Sequence, residues 1–329
     1  MPKRLPGTTL VGRSVTRRVF AAYLAKLLAV LALVSISTFL LLEMIPGDPL
    51  ATLLPEGATP EMRAAAAERF GLDGPLLQRY FEWLGSALQG DLGRSMQSQV
   101  PVTDAILERL PVTLELAGLS ILLALVVAVP LGVWAGYRPG GAADRVTTFL
   151  CSVTLSIPSF LLGVLLVFVF AVTLQALPVL GWTPLSEGIG PHVSGLILPV
   201  ATLAAIEAVA FIRLLRNDMV ATLQQDFVLS ARARGIPTGR ILFVHALRPS
   251  AFSLLTVLGV SMGRLIGGTV IVESIFALPG LGSLVITAIN SRDYLLVQGI
   301  VLVVAVGYVL INALVDLAYP LLDPRVRTS

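Results

Sequence analysis

The 329 residues include one cysteine, two histidines and two lysines, and only 13% of them are charged. A lone Cys151 excludes an internal disulfide framework, and His192 with His245 leaves almost nothing for a His/Cys metal site. Neither Lys3 nor Lys26 falls in a Gly-x-x-x-x-Gly-Lys-Ser/Thr frame, so the chain carries no phosphate-cradling loop of its own. Soluble domains draw about a quarter of their residues from the charged types. The low charge found here, with 56% hydrophobic residues and a mean hydropathy of +0.88, excludes an ordinary water-soluble enzyme. Aromatics are sparse at 7%, while 29 glycines and 21 prolines point to interrupted apolar helices rather than one continuous core. This is the composition of an integral membrane protein.

A hydrocarbon core takes about 20 apolar residues to cross. Six stretches qualify: 27–45, 116–135, 146–174, 193–212, 251–272 and 295–317. The first follows a basic head of Lys3, Arg4, Arg13, Arg17 and Arg18. Its apolar run is longer than that of a secretory signal and no clear cleavage site follows, so it counts as a span with Lys26 snorkelling to the interface. Segments 1–26, 137–145, 213–249 and 318–329 together hold 16 Lys/Arg against 4 Asp/Glu, whereas 43–111, 175–194 and 273–294 hold 6 against 13. The positive-inside rule makes the first set cytosolic, with both termini inside and an even number of spans.

Two polar stretches are too long for simple links, which take about 2–8 residues. The first, 46–111, contains a helix-like run from Pro60 to Phe70, the corner Gly71-Leu72-Asp73-Gly74-Pro75, and an amphipathic run from Leu76 to Leu88. It reads as a helical extracytosolic insertion between spans one and two. The second, 217–249, reads as a cytosolic hook. Asn217 or Asp218 is the expected N-cap, helix runs to Arg234, Gly235 ends it, and Pro237 opens a second short helix ending before Pro249. A solvated basic loop that only fixes topology is the competing reading. The chain thus divides into 1–110 (head, first span and insertion), 111–322 (the membrane core with its hook) and a cytosolic tail, 323–329.

The hook resembles the signature of binding-protein-dependent ABC importer permeases, Glu-Ala-Ala, three residues, Gly, nine residues, Ile-x-Leu-Pro. Ala231, Gly235 and Leu247 match its frame; the Glu is absent and Pro249 falls one place late. Almost the whole chain is similar to the dipeptide/oligopeptide/nickel branch of that family. The likeness is carried by Pro46-Gly47-Asp48-Pro49, Gly90-Asp91-Leu92-Gly93-Arg94-Ser95, Glu108-Arg109-Leu110-Pro111, Ser156-Ile157-Pro158-Ser159-Phe160 and Ala231-Arg232-Ala233-Arg234-Gly235. It continues through His245-Ala246-Leu247-Arg248, Gly267-Gly268, Val272-Glu273, Phe276, Pro279-Gly280-Leu281-Gly282, Arg292-Asp293-Tyr294 and Leu322-Asp323-Pro324-Arg325. The resemblance implies an all-α, six-span type I ABC importer permease fold in a prokaryotic inner membrane. It implies alternating access without hydrolytic chemistry in this chain: two cytosolic ATPases consume ATP, a sister permease completes a heterodimer, and an extracytosolic binding protein delivers substrate. Peptides are the default substrate, with nickel, short oligosaccharides and other small solutes open. It also assigns Ala231, Arg232, Arg234, Gly235 and Leu247 to ATPase coupling, and puts the stretch from Phe276 near the pathway. No cofactor is expected on this chain.

Ionisable groups at membrane depth are functional candidates by default. Glu207 lies mid-span four, Arg264 mid-span five, and Asp316 near the cytosolic end of span six. Glu207 and Arg264 either pair with each other, as a structural ion pair or along the pathway, or contact a charged substrate. Glu273, at the outer end of span five, is about 900° from Arg264 along an ideal helix, on the opposite face, so those two are not partners. Glu273 and Phe276 join them as pathway candidates, and the stretch from Phe276 to Asn290, too short and broken to span, reads as an irregular element at the outer mouth. Gly259, Gly263 and Gly267 form a small-residue stripe for close packing, within the chain or against a partner. Pro130 and Pro158 are expected to kink spans two and three. An ion-coupled carrier is the alternative, though it needs no hook and usually carries repeats not seen here. A membrane-embedded enzyme is another, but Gly-x-Ser-Gly, Gly-x-Gly-Asp and His-Glu-x-x-His are all missing.

Overall fold

The computed structural model describes residues 57–179 and 181–322, together with 25, 27–41, 43–44, 50, 54 and 55; side chains are described as far as Val315. The basic head, Lys26, the motif 46–49, the side chain of Asp316 and the tail 323–329 lie outside the described residues. Among the described residues there is no strand, and one isolated bridge joins Arg94 to Pro101. The fold is all-α, as expected where lipid leaves backbone groups no outside partner. It divides into two compact units. One takes the chain up to Val102 together with Arg292–Val309; the other takes Thr103–Ser291 and the residues from Leu310 on.

The first unit contains α1 (Leu27–Leu41), α2 (Pro60–Arg69), α3 (Leu76–Leu88) and the start of α13 (Tyr294–Leu322). Helix α2 begins where Thr59 accepts a hydrogen bond from the Met62 N–H at 3.3 Å, with proline in the first turn. It ends at Gly71, whose φ of +62° permits the turn that Gly74, at +89°, completes. The insertion therefore has the two helices its sequence indicated. Helix α3 packs on α1 through Phe39, Tyr80 and Trp83, with the Phe39 and Tyr80 ring centroids 5.4 Å apart, edge to face. Ser35 and the Tyr80 hydroxyl lie 2.8 Å apart, and Arg79 pairs with Glu43 at 2.5 Å.

The same unit explains two family-like motifs. Asp293, 1% exposed, accepts from Ser95 Oγ at 2.5 Å and from the Met96 N–H at 3.1 Å, and caps α13 through the Leu296 N–H at 3.3 Å. One carboxylate thus starts a membrane helix and holds a loop almost two hundred residues earlier. This is why the early part of α13 belongs with the first unit, across the expected division near residue 110.

In the second unit α4 (Val102–Tyr137), α5 (Ala142–Ser156), α6 (Ser159–Leu166, extended by a π-helical turn Val167–Thr173) and α7 (Ile189–Leu223) are followed by a cluster of shorter elements. Helix α7 is the most buried of the long helices and packs against α5, α6, α10 (Leu247–Gly268) and α11 (Val270–Ile275). Three apolar clusters fill the unit, around Leu116 and Phe276, around Ala208 and Phe211, and around Leu215 and Met219. At the start of α5, Asp144 takes a two-pronged bond from Arg216 of α7, Nε at 2.5 Å and Nη2 at 2.7 Å, and the Gly140 N–H at 2.7 Å.

Several boundaries differ from the sequence expectation. Span three is not continuous: α5 and α6 meet at a bend of 102°. Pro158 cannot donate and holds Ile157 in an extended conformation (φ −99°, ψ 121°), which breaks the helix outright where a kink was expected. Among the described residues, four helices are long and apolar enough to cross a membrane singly: α4, α7, the run Thr238–Gly268 and the Tyr294–Val315 part of α13. The α5–α6 pair and the shorter α1 supply the other apolar segments. Asn217 and Asp218 cap nothing, because α7 continues to Leu223; Asp218 instead accepts from Ser253 Oγ. The helical run that opens after Pro237 does not stop before Pro249: it continues from Thr238–Arg240 through the π-helical turn Ile241–Ala246 into α10 (Leu247–Gly268), and that turn takes up the carbonyl crowding that proline imposes. The irregular outer element is in fact regular over ten residues, α12 (Leu281–Asn290), because Pro279 and Gly280 precede the helix and do not interrupt it.

Ser95→Ala removes a buried bond to a carboxylate and leaves Asp293 under-satisfied. We expect a loss of about 1–3 kcal/mol in detergent unfolding, against a change under 0.5 kcal/mol for Ser98→Ala nearby.

Candidate functional site

The hook is built from α8 (Asp226–Ala233) and α9 (Thr238–Arg240). Helix α8 ends in a Schellman corner: the Ile236 N–H reaches the Ala231 carbonyl at 3.2 Å, and the Gly235 N–H reaches Arg232 at 2.9 Å. Gly235 sits at φ +73° with open space around it, so backbone conformation rather than crowding requires glycine. Val228 and Ala231 anchor the helix in the cluster of Leu215 and Met219, with Leu247 packed alongside. The remaining face is bare: Phe227 and Leu229 are 48% and 54% exposed, and Arg232, Arg234 and Arg240 are exposed beside them. Of the five residues expected to take part in coupling, Ala231 and Leu247 thus form the base, and Arg232, Arg234 and Gly235 the exposed corner.

At membrane depth the structure pairs Glu207 of α7 with Arg264 of α10 at 2.5 Å. The two are unequal. Glu207 is buried, 3% exposed in its side chain, whereas Arg264 is 59% exposed. The second carboxylate oxygen of Glu207 has no hydrogen-bond partner among the described residues.

Glu273, in α11 (Val270–Ile275), has its own partners. It is fully buried and accepts from Thr113 Oγ1 at 2.8 Å, Thr269 Oγ1 at 2.7 Å and the Ser283 N–H at 2.9 Å. Thr113 in turn accepts the Leu281 N–H at 2.8 Å, so the group ties α4, α11 and the first turn of α12 together. A Cβ on Gly280 or Gly282 would overlap the Glu273 carboxyl, and on Gly282 the Val270 backbone too. The Pro279-Gly280-Leu281-Gly282 motif is therefore the space that the carboxyl occupies. Phe276 is also buried, against Gly163 of α6.

In the glycine stripe, a Cβ on Gly259 would run into Val315, so this position packs within the chain; Gly263 is buried and Gly267 exposed. His192 lies in the first turn of α7 rather than in a loop, bonded to Glu115 Oε1 and the Thr183 carbonyl, both at 2.8 Å. Cys151 is a buried free thiol. Among the described residues no group of three or more His, Cys, Asp or Glu is arranged to hold a metal. Thr113, Ser283 and the pairs Asp144–Arg216 and Glu115–His192 escape sequence reasoning, since their partners lie far apart in the chain; only the glycines around Leu281 signal a close approach.

An all-α chain with several helices long and apolar enough to cross a membrane has the build of a polytopic membrane protein. Residues 128–328 match the family described as the inner membrane component of binding-protein-dependent transport systems, and residues 12–117 match its N-terminal counterpart. The chain belongs to this family. It is 40% identical over 305 residues to the "Probable peptide ABC transporter permease protein y4tP" of Sinorhizobium fredii, covering 92% of this chain and 97% of that protein. It is 35% identical over 297 residues to the oligopeptide transport system permease protein AppB of Bacillus subtilis, and 34% over 319 to the dipeptide transport system permease protein DppB of Escherichia coli; each covers 89% of this chain and 94% of the relative. A chain of the methionine ABC transporter MetNI, solved in inward-facing conformations, superposes with a TM-score of 0.53 at 16% identity, over 67% of this chain and 96% of that one. That likeness speaks for the fold. The protein is a multi-pass inner-membrane transport subunit, working with a binding protein and ATPase partners.

Arg264→Ala strands a buried carboxylate, whereas Glu207→Ala leaves a guanidinium that solvent or headgroups can reach. We expect the first to cost roughly 3–5 kcal/mol and the second clearly less, with the double substitution closer to wild type than Arg264→Ala alone, read as thermal unfolding in detergent. Gly280→Ala displaces Glu273 and costs about 1–3 kcal/mol in the same measurement, while Gly268→Ala, where a Cβ meets nothing, changes little.

Proposed function

We propose that this chain is the permease subunit of an ATP-driven peptide importer, with both termini and the hook in the cytosol. The observation that carries the reading is the half-anchored α8. Val228 and Ala231 fix one face to the membrane core, while Phe227, Leu229 and the arginines present another to a partner. Such a bare apolar stripe rimmed by cationic groups suits a groove of a cytosolic ATPase, whose closure the helix would pass to α7 through Leu215 and Met219. We assign ATP hydrolysis to partner chains and no cofactor to this one, a reading supported by the relatives named as ABC transporter permeases. The relatives named for oligopeptide and dipeptide transport support a peptide substrate. We assign Arg264 to the translocation route, with Glu207 fixing its position and with Glu273 and Phe276 in the wall behind. The working assembly pairs the chain with a related sister permease, two ATPases and an extracytosolic binding protein.

Reconstitution with candidate ATPase, sister permease and binding protein tests this. Loaded binding protein should stimulate ATP hydrolysis with the wild-type chain. Gly235→Pro, which cannot adopt φ +73° or donate to Arg232, should lose that stimulation while the complex still assembles. A wild-type chain that neither binds an ATPase nor changes its turnover overturns the reading.

A further inference from the structure

A cavity of about 250 Å³ lies between α5 and α7, within the second unit. Its lining includes Thr148 and Ser152 of α5 and Arg213, Arg216 and Asn217 of α7. The charges on it do not balance. Asp144 takes the Nε and Nη2 bonds of Arg216, at 2.5 and 2.7 Å, and so neutralises that guanidinium. Arg213 is exposed and has no ion pair or hydrogen bond among the described residues. Asp218 and Glu207, the nearest acids to it in the sequence, are held by Ser253 and Arg264. Asn217, also exposed, accepts Arg216 Nη1 at 3.1 Å through its oxygen, which leaves its amide N–H groups free. The hydroxyls, by contrast, are spent on their own helix: Ser152 donates to the Thr148 carbonyl at 2.9 Å and Thr148 to Asp144 Oδ1 at 3.5 Å. The lining therefore presents one uncompensated positive charge and accessible N–H donors.

Both helices place this cavity where hydrocarbon gives way to headgroups. Arg213 follows directly on the apolar stretch 193–212, and Thr148 and Ser152 lie in the first turns of the stretch 146–174. Helix α7, with 35 residues, measures about 52 Å against about 30 Å of hydrocarbon, so its ends project beyond the apolar layer. The long stem of an arginine suits that boundary. Beside the cavity, Val146, Phe149, Leu150 and Val153 of α5 are all exposed and recur at helical spacing on one face. An anion seated at Arg213 thus has an apolar wall alongside it.

We propose that this cavity holds the phosphodiester of one acidic membrane phospholipid, with the phosphate on Arg213 and the Asn217 amide and the acyl chains along the apolar face of α5. Size and surroundings favour this ligand over a soluble one. Small-molecule sites occupy roughly 300–1,000 Å³. A smaller cavity takes one anionic group and leaves the rest of the ligand outside, where α5 offers Phe149 and Leu150. Net charge selects an acidic lipid. Phosphatidylcholine brings its own cation, which the cavity does not match because Asp144 is committed to Arg216. Basic pockets between membrane helices at headgroup level hold acidic headgroups on the same grounds. The site lies apart from the route assigned to Arg264 and does not depend on which substrate is carried.

Native mass spectrometry of the full chain, released from micelles holding phosphatidylglycerol and phosphatidylcholine in equal amounts, tests this. One phosphatidylglycerol per chain is expected to stay bound, roughly 5-fold more tightly than phosphatidylcholine, and Arg213→Gln should bring the two lipids level. Asn217→Ala should weaken phosphatidylglycerol in the same direction, and it decides the case if Arg213→Gln does not fold. Arg240→Gln removes an exposed arginine outside the cavity and should keep the preference, which separates a site from general surface charge. The site is overturned if the wild-type chain holds both lipids alike, if neither cavity variant changes the preference, or if Arg240→Gln lowers it as much. Inorganic phosphate and dialanine serve as competitors. Displacement of the lipid by phosphate gives the cavity to a free anion, displacement by dialanine gives it to a peptide carboxylate, and either removes the lipid assignment.

Discussion

In hydrocarbon a polar group has only the protein to turn to, and each break in a helix leaves such groups behind. Where α11 ends and the chain turns into α12, Glu273 meets that demand. Its carboxyl takes two threonine hydroxyls and the Ser283 N–H, while Thr113 takes the N–H of Leu281. One buried side chain, supported by one hydroxyl, thereby satisfies the first turn of a helix that has no side-chain cap of its own. The glycines on either side of Leu281, the tight turn after Phe276 and the approach of α4 follow from giving that carboxyl room.

Other breaks are handled by different means. At Pro158 the backbone leaves the helix altogether and turns through 102°. At Pro249 the helix survives because a wider π-helical turn precedes it. Helix α7 bends to neither device, although it contains Pro199, and runs unbroken for 35 residues from the His192 contact to the edge of the hook. It is held near its start by the hydrogen bond between Glu115 and His192, and further along by the ion pairs Arg264 to Glu207 and Asp144 to Arg216. The same helix thus links the residues that anchor the hook, Leu215 and Met219, to the buried Glu207.

The sequence made the apolar segments, the insertion helices and the Gly235 corner legible, because each is written in local terms: hydrophobic length, paired glycines, a glycine after a helix. The pairing of Glu207 with Arg264 was legible as one of its alternatives, since two opposite charges at similar depth have few other partners. What stayed hidden depended on contacts between distant segments. Nothing local to Asp293 tells of Ser95, and nothing near Asp144 tells of Arg216. The ends of helices were misread for a related reason. Asn217 and Asp218 have the side chains of an N-cap, but α7 had already started upstream, and its packing carries the helix past them.

The Glu273 cluster also bears on how the chain is made. Thr113 and Thr269 leave the ribosome before Glu273, and Ser283 only ten residues after it. The carboxyl thus emerges with its two hydroxyl partners already synthesised, and α12 closes over it last. A truncated product ending just beyond Phe276 would hold the acid and both threonines but lack the backbone that seals them, leaving an open polar patch for quality control to recognise.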